Sequence, residues 1–249
     1  MGAVPRWLTM GTAPTLVGGD VHVWWAGPGD AAPSMHRLLD EPERDRLDRL
    51  RRPADRDRFL VGCALLKHVV ANQLGGSPVA VRLSRRCPDC DRPHGKPTVP
   101  GSPIELSLAH SGDRVVVAAA LGAPVGVDVE QELPTLDPDT LTDTVLTARE
   151  AAALAAMPAA ERPGGFLAYW TRKEAVLKAT GDGLRVPLRA VEVTGPLEPP
   201  RVLAFAGHQP EGISLLPLSA GPRHVAALAL LGPRPARLLE LAAAPLLTG

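Results

Sequence analysis

The stretch that most limits how this chain can fold is residues 170–181, WTRKEAVLKATG. It contains no proline and no internal glycine, it is rich in good helix formers, and it ends at Gly181, where a C-cap glycine belongs. A helix places Trp170, Glu174 and Lys178 on one stripe, because each lies four residues from the next. An ordinary surface salt bridge between Glu174 and Lys178 would explain the stripe without any function.

A second acidic segment lies upstream, residues 126–130, with the sequence GVDVE. Apolar and acidic residues alternate in it, as they do in a short strand, so Asp128 and Glu130 are expected on the same face. Two carboxylates this close repel each other unless a cation neutralises them, and a hard cation such as Mg²⁺ takes oxygen ligands. The alternative is a solvated strand face with no ligand.

Composition excludes several classes of protein. The 249 residues include 27 basic and 27 acidic side chains, so the formal net charge is zero, which argues against a broad surface for nucleic acid or anionic membranes. Three cysteines cannot form a closed set of disulfides, which favours a reducing compartment. No apolar run approaches the roughly 18 residues of a membrane span, and the N-terminus lacks the layout of a signal peptide. We therefore expect a soluble, cytoplasmic protein.

Periodicity predicts a mixed α+β chain. Helices are predicted over residues 35–51, 54–74, 151–157, 161–180 and 236–244. Strands are predicted over residues 20–26, 79–83, 104–111, 114–122, 125–130, 191–194, 201–205, 213–218 and 224–230. Pro134 and Pro138 break the pattern between the two halves and mark the best candidate for a domain boundary.

In this order, GVDVE and WTRKEAVLKATGDGL resemble the signature of the Sfp-type 4′-phosphopantetheinyl transferases, and the resemblance extends from about Arg56 to Leu188. It implies a holo-[carrier protein] synthase that moves the phosphopantetheine group of coenzyme A onto a serine of an apo acyl or peptidyl carrier protein. Mg²⁺ is the implied cofactor and adenosine 3′,5′-bisphosphate the implied product. The implied fold is a pseudo-two-fold pair of similar α+β subdomains, residues 1–134 and 135–249, with the active site at their interface. We expect a monomer.

The resemblance also assigns roles to individual residues. Asp128, Glu130 and Glu174 would bind Mg²⁺, and Lys178 would contact the phosphate that is released. Contacts with coenzyme A are implied at four residues of the N-terminal subdomain: Arg58, Lys96, His110 and Ser111.

Two positions keep alternatives open. Ala109 stands where the family has a serine before the histidine, so one hydroxyl contact is lost or replaced by the backbone. Glu150 matches an acidic residue that is discussed in the family as a proton acceptor, yet Thr147 and Glu150 also form a capping box that explains Glu150 without chemistry. The proton acceptor is therefore Glu174, a metal-bound water or Glu150.

Cys87 and Cys90 form a CxxC pair, and His94 is a third candidate ligand. A structural zinc site normally takes four ligands, and the remaining cysteine, Cys63, lies alone in a predicted helix. A loop with two free thiols is therefore favoured over zinc.

Two other functions fit part of the sequence. A catalytically impaired homologue that only binds carrier proteins would explain Ala109. A metal-dependent nucleotide pyrophosphohydrolase would use the same carboxylates with water as the nucleophile. Carrier proteins of peptide, polyketide and fatty-acid synthesis are all candidate partners.

Overall fold

The computed structural model describes Trp7 and residues 13–87, 89–90, 92–205 and 210–248. The chain divides into two compact units. One unit, the discontinuous unit, extends to Gly122 and resumes at Pro235, and the other, the continuous unit, extends from Ala123 to Arg234. The division after Gly122 differs from the predicted one after Pro134, because the strand that holds Asp128 pairs within the continuous unit.

Both units contain helices and strands, which confirms the predicted α+β class. The α-helices are α1 (Glu41–Arg49), α2 (Pro53–Leu74), α3 (Thr142–Val145), α4 (Ala148–Ala155), α5 (Arg162–Thr180) and α6 (Ala244–Thr248). The strands are β1 (Asp20–Ala26), β2 (Ser84–Arg86), β3 (Pro93–Thr98), β4 (Ile104–Ser111), β5 (Arg114–Leu121), β6 (Val125–Gln131), β7 (Val191–Val193), β8 (Val202–Phe205), β9 (Ile213–Pro217), β10 (His224–Leu231) and β11 (Arg237–Ala242). Among the described helices, none is long and apolar enough to cross a membrane.

The discontinuous unit is built on a six-stranded sheet in the order β11-β1-β5-β4-β3-β2. The pair β1–β11 is parallel, and the other neighbouring pairs are antiparallel. Helix α2 shares a hydrophobic core with this sheet, in which Leu65 and Leu66 pack with Leu106 and Val117. Gly62 lets α2 lie close to β4, because a Cβ at that position would come within 3.2 Å of the methyl groups of Leu108.

The continuous unit has a three-stranded sheet, β6-β10-β9, and a two-stranded sheet, β7-β8. Helix α5 supplies much of its core, with Phe166, Val176 and Leu177 packed in the same cluster as Ala227 and Ala229 of β10.

The two units follow the same order of elements. In each, a first strand (β1 or β6) precedes a short helix (α1 or α4) and a long helix (α2 or α5). Two short strands follow, and then an antiparallel pair, β4–β5 or β9–β10, whose last strand pairs with the first strand of the unit. The two subdomains are therefore similar in topology, although no sequence repeat is visible.

A buried lysine–glutamate pair fixes the helices of the discontinuous unit. Helix α1 begins with a capping box in which Asp40 accepts from the main-chain N–H of Glu43, and Glu43 accepts from that of Asp40. The ammonium of Lys67, in α2, donates to Glu43 Oε2 at 2.8 Å and to the carbonyl oxygen of Leu38. Both charged side chains are buried.

The continuous unit repeats this arrangement with other residues. Thr147 and Glu150 form the capping box of α4, and Lys173 of α5 donates to Glu150 Oε2 at 2.5 Å. Lys173 also donates to the carbonyl oxygen of Val145 at 2.8 Å, so in both units the lysine binds the carbonyl two residues before the N-cap. The main-chain N–H of Val193 donates to Glu150 Oε1 at 2.9 Å. The pair therefore ties α4, α5 and β7 together.

Two predicted elements in the discontinuous unit were wrong. The helix predicted over residues 35–51 is divided into a 3₁₀ turn at Pro33–Leu38 and helix α1, because Asp40 adopts an extended conformation and caps the second piece. No strand forms over residues 79–83: the first two lie in a 3₁₀ turn at Pro78–Ala80, and the other three have no regular secondary structure.

The helix predicted over residues 236–244 was also wrong. Strand β11 occupies most of it and pairs in parallel with β1 from Asp20↔Arg237 to Trp25↔Ala242. Pairing with a strand more than two hundred residues earlier overrides the local preference of a leucine- and alanine-rich segment for helix.

We expect Lys173→Met to lower the free energy of unfolding by about 3–5 kcal/mol, because it leaves the buried carboxylate of Glu150 without its cation. Arg149→Met is the matched control, since Arg149 pairs with Glu192 at 3.2 Å but its side chain is 74% exposed. Such exposed pairs contribute about 0–1 kcal/mol. Urea denaturation measures both variants, and similar losses in the two would contradict the structural role of Lys173.

Candidate active site

Gly126 sets the distance between strand β6 and helix α5. A Cβ built on Gly126 would collide with the carbonyl oxygen of Ala175 and the main-chain nitrogen of Ala179. Only glycine permits two backbones to approach this closely. Because side chains on a strand alternate between its faces, Asp128 lies on the same face as Gly126 and therefore faces α5. Its partner in the register of β10 is the small residue Ala227.

Asp128 is buried, with 4% of its surface exposed. Lys178 donates to Asp128 Oδ1 at 2.6 Å. The second oxygen, Oδ2, is also buried and has no hydrogen-bond partner within the described part of the chain. Burial raises the pKa of Asp128, while Lys178 opposes that rise. A buried carboxylate oxygen without a donor is unfavourable and marks a position where a ligand can bind.

Glu174 belongs to the same group of charges. Its pKa is raised, first by burial and also by the charge of Asp128, while the ammonium of Lys178 lowers it. The three side chains therefore act on one another across β6 and α5. Glu130, partly exposed, lies two residues beyond Asp128 on β6 and opposite Val225 of β10.

The structure thus brings Asp128, Glu174 and Lys178 together in the continuous unit, with Glu130 two residues from Asp128 along the same strand. Carboxylate oxygens are the ligands that Mg²⁺ prefers, and it usually takes one or two of them together with phosphate oxygens. The unpartnered Oδ2 of Asp128 supplies an oxygen for such an ion. The carboxylates of Asp128, Glu130 and Glu174 are of the chemical type that Mg²⁺ takes, although among the described residues they do not form a group of three ligand atoms within 4.8 Å of one another.

The same helix carries a second set of polar residues with a structural role. Thr171, Arg172 and Lys173 are 0%, 7% and 0% exposed. Arg172 donates to four main-chain carbonyls of the segment that follows β7: those of Thr194, Gly195, Pro196 and Glu198.

The sequence interpretation missed the roles of Arg172 and Lys173. A signal was present, because Lys173 lies three and four residues before the apolar Val176 and Leu177, on the face of the helix that packs inward.

The structure favours the capping role of Glu150 over the chemical one. Glu150 is 2% exposed. Its Oε2 accepts from Lys173 and from the main-chain N–H of Thr147, and its Oε1 accepts from that of Val193. Both oxygens are occupied, so the cap and the buried ion pair explain this residue.

In the discontinuous unit, Arg58 lies beside the end of β4. Its guanidinium donates to the carbonyl oxygen of Gly112 at 2.7 Å and pairs with Asp55. Gly112 directly follows Ser111, so Arg58 and Ser111 are neighbours. His110 lies directly before Ser111 on β4, and its side chain is exposed.

Lys96 lies on β3, with its Nζ 3.3 Å from Glu105 Oε2 on the adjacent strand β4. Burial lowers the pKa of Lys96, and Glu105 opposes that change. Ala109 is 5% exposed and, being next to His110 on a strand, faces the other side of the sheet. The replacement of serine by Ala109 therefore removes no hydroxyl from the face that carries His110.

We expect Gly126→Ala to lower the free energy of unfolding by about 1–3 kcal/mol or more, because the added methyl group forces α5 away from β6. Gly212→Ala is the control in the same unit, since a Cβ there meets nothing within 4 Å. Thermal denaturation followed by circular dichroism compares the two, and equal stability of both variants would show that the close approach is not required.

We expect Glu174→Gln to raise the melting temperature of the protein at neutral pH in EDTA. Because the folded-state pKa of Glu174 lies above its ordinary value, ionisation of this group destabilises the fold, and that destabilisation disappears as pH falls through the folded-state pKa. The variant should therefore also gain less stability than the wild type on mild acidification. Glu211→Gln, at an exposed carboxylate, should change neither the melting temperature nor the gain in stability on acidification. A lower melting temperature for Glu174→Gln would refute the claim that ionised Glu174 destabilises the fold.

Comparisons with known proteins identify the family of the chain. The family model of the 4′-phosphopantetheinyl transferase superfamily matches residues 124–228, the range that holds Asp128, Glu130, Glu174 and Lys178. The chain is 30% identical to the 4′-phosphopantetheinyl transferase HetI of a Nostoc species over 91% of this chain and 94% of that protein. It is 28% identical to the 4′-phosphopantetheinyl transferase Sfp of Bacillus subtilis over 63% of this chain and 66% of that one.

A putative 4′-phosphopantetheinyl transferase of a Synechocystis species is 31% identical over 67% of this chain and 68% of its own length. The match to the Nostoc protein covers nearly the whole of both chains, so the similarity is not limited to the segment around β6 and α5. The chain belongs to the 4′-phosphopantetheinyl transferase superfamily and is an enzyme of the Sfp type.

Proposed function

We propose that this transferase uses coenzyme A as its phosphopantetheine donor, depends on Mg²⁺, and modifies a serine of an apo acyl or peptidyl carrier protein. Adenosine 3′,5′-bisphosphate is the second product. The observation that carries the proposal is the buried carboxylate of Asp128, which has one oxygen bound by Lys178 and the other without a donor. Such a group is suited to a cation that is itself bound to a diphosphate.

The proposed reaction is a displacement at the β-phosphorus of coenzyme A. The serine oxygen forms a bond to phosphorus, the bond from phosphorus to the bridging oxygen breaks, and adenosine 3′,5′-bisphosphate leaves with that oxygen. The serine proton passes to a base. Catalysis of such a transfer consists mainly of positioning the groups in line and neutralising the phosphate charge.

Asp128, Glu130 and Glu174 are the residues that would hold Mg²⁺. When bound, Mg²⁺ neutralises charge on the diphosphate oxygens. Lys178 is suited to the phosphate that leaves, because its side chain is 29% exposed and an ammonium has three donors, of which Asp128 Oδ1 uses one. Asp128 in turn holds Lys178 in place.

Glu174 is the better candidate for the proton acceptor than Glu150. Without a bound cation, burial and the charge of Asp128 raise the pKa of Glu174, while Lys178 lowers it. A raised pKa brings the basicity of a carboxylate closer to that needed at neutral pH, and a cation bound to Glu174 would oppose this effect. Both oxygens of Glu150 already accept hydrogen bonds.

For the nucleotide part of coenzyme A, we propose contacts with residues of the discontinuous unit: Arg58, Lys96, His110 and Ser111. The guanidinium of Arg58 is held by Gly112 and Asp55, so it is preorganised for a phosphate. Lys96 would exchange Glu105 for a phosphate oxygen, since that ion pair is only partly buried.

The two alternative functions receive less support. The impaired homologue rested on Ala109 alone, and Ala109 faces away from the side of β4 that carries His110. The pyrophosphohydrolase would require water as the nucleophile, whereas the relatives named above are transferases.

We expect Asp128→Asn and Glu174→Gln each to lower the rate of transfer by roughly 10²–10³-fold, the loss typical of removing one group that stabilises charge in a transition state. The assay is intact-mass spectrometry of an apo carrier protein incubated with coenzyme A, with EDTA or with Mg²⁺. Wild-type and Glu211→Gln proteins should convert the carrier with Mg²⁺ and not with EDTA. Rates for Asp128→Asn within twofold of wild type would refute the metal assignment, and an unmodified carrier with hydrolysed coenzyme A would favour the pyrophosphohydrolase.

A further inference from the structure

A second cluster of metal-binding groups lies in the discontinuous unit, at the end of the β2–β3 hairpin. One ligand atom each from Cys87, Cys90 and His94 lies within 4.8 Å of the other two. Cys90 Sγ and His94 Nε2 are 3.0 Å apart. None of these residues contributes to the cluster around Asp128, so the proposed transfer chemistry leaves them unexplained.

The main chain of the hairpin directs the sulfur of Cys87 into this cluster. The N–H of Cys87 donates to the carbonyl oxygen of Arg92 at 2.9 Å, which closes the turn between the two cysteines and β3. The Cys87 thiol donates to a carboxylate oxygen of Asp89, with 4.0 Å between the sulfur and the oxygen. A hydrogen bond to a neighbouring side chain fixes the orientation of a metal ligand.

Strand β3 brings the histidine back to the cysteines. The sequence favoured a loop with two free thiols, because a structural zinc site normally takes four ligands. The structure agrees that Cys87 and Cys90 are free thiols. It adds that Pro93–Thr98 form strand β3, which places the imidazole of His94 beside Cys90. The third ligand therefore comes from the hairpin itself.

We propose that Cys87, Cys90 and His94 bind one Zn²⁺ ion, with a water molecule as the fourth ligand. Zn²⁺ takes thiolate sulfur at about 2.3 Å and imidazole nitrogen at about 2.0–2.1 Å. Tetrahedral ligands at these distances lie about 3.5–3.8 Å apart. Ligand atoms separated by as much as 4.8 Å would therefore approach by about 1 Å, whereas Cys90 Sγ and His94 Nε2, at 3.0 Å, would separate by about 0.5 Å. Two thiolates and one neutral imidazole balance the charge of the ion.

The exposure of the ligands agrees with an open fourth position. Cys87 is 7% exposed, whereas the side chains of Cys90 and His94 are exposed. An ion bound here would be protected on one side and reach solvent on the other. Three protein ligands and one water molecule are the usual ligand set of catalytic zinc sites, whereas closed structural sites take four protein ligands.

Zinc would restrain a hairpin that is otherwise weakly held. The β2–β3 pairing shifts its register between Ser84 and Arg86, and β3 meets β4 at Thr98 and Glu105. Because His94 precedes Lys96 by two residues on β3, the ion would also fix the strand that presents Lys96. Zinc binding itself does not rest on the proposed function, since it involves no residue of the Asp128 cluster.

The third cysteine provides a matched control. Cys63 lies in α2 and is 1% exposed. Burial, with a further contribution from Glu43, raises the pKa of its thiol to about 12, so Cys63 stays a neutral thiol and does not bind metal at ordinary pH. Cys63→Ala removes a cysteine without touching the cluster.

The reduced, full-length protein is loaded with Zn²⁺ and dialysed. The amount of zinc bound per chain is then measured by inductively coupled plasma mass spectrometry. We expect one zinc per chain for the wild type and for Cys63→Ala, and at least tenfold weaker binding for Cys90→Ser and His94→Ala. These two side chains are exposed, so neither change should unfold the protein, which circular dichroism verifies. Zinc should slow hydrogen exchange over residues 84–98 and leave β9 and β10 unchanged.

Three results would overturn the proposal. One is a wild-type protein that retains no zinc although all of its thiols are reduced. Another is a disulfide between Cys87 and Cys90 that persists under the same reducing conditions. The third is an equal loss of zinc in Cys63→Ala and Cys90→Ser. Zinc content and transfer rate are separate measurements, so a failure of the zinc proposal can be told apart from a failure of the proposed function.

Discussion

The close approach of β6 to α5 is the constraint on which the candidate active site depends. Gly126 lets the two backbones meet, and one pleat further along the strand the carboxylate of Asp128 therefore lies within hydrogen-bonding distance of Lys178. Glu174 lies one turn before Lys178 on the helix, and the charges of both Asp128 and Lys178 act on its pKa. With a side chain at position 126, the helix would stand further away and the three groups would lose their mutual contact.

Neighbouring side chains of helix α5 point in different directions and have different roles, one in the stability of the fold and the next in the candidate active site. Lys173 points to the interior and completes a fully buried ion pair with Glu150, which ties three elements together. Glu174, the next residue, turns toward Asp128 and has a pKa raised by burial. The first pair stabilises the fold, whereas the second group destabilises it in the absence of a cation. Such an unfavourable arrangement of charge is typical of functional sites.

Much of this arrangement follows from local sequence. The caps at Thr147 and Gly181 and the alternation of GVDVE depend only on neighbouring residues, so the strand and the helices α4 and α5 could be predicted. The alignment of Glu174 with Lys178 follows from the helical repeat alone. The contact of this stripe with Asp128 required the resemblance to a family, because no local rule relates residues so far apart.

The features that the sequence did not predict depend on distant partners. Strand β11 exists because β1 offers it a parallel partner, and its own residues favour a helix. The unit boundary after Gly122 depends on the pairing of β6 with β10. The approach of His94 to Cys90 depends on a hairpin whose strands are short and rich in proline and charge. In each case the deciding contact joins two different secondary-structure elements, and the periodicity of a single helix or strand does not predict such a contact.

The buried lysine–glutamate pair occurs once in each unit, but the residues that follow the lysine differ. Counted from that lysine, the next residue and the fifth are Glu174 and Lys178 in α5, but His68 and Asn72 in α2. The two long helices therefore share one structural framework, and only α5 adds to it the acidic and basic side chains of the candidate active site.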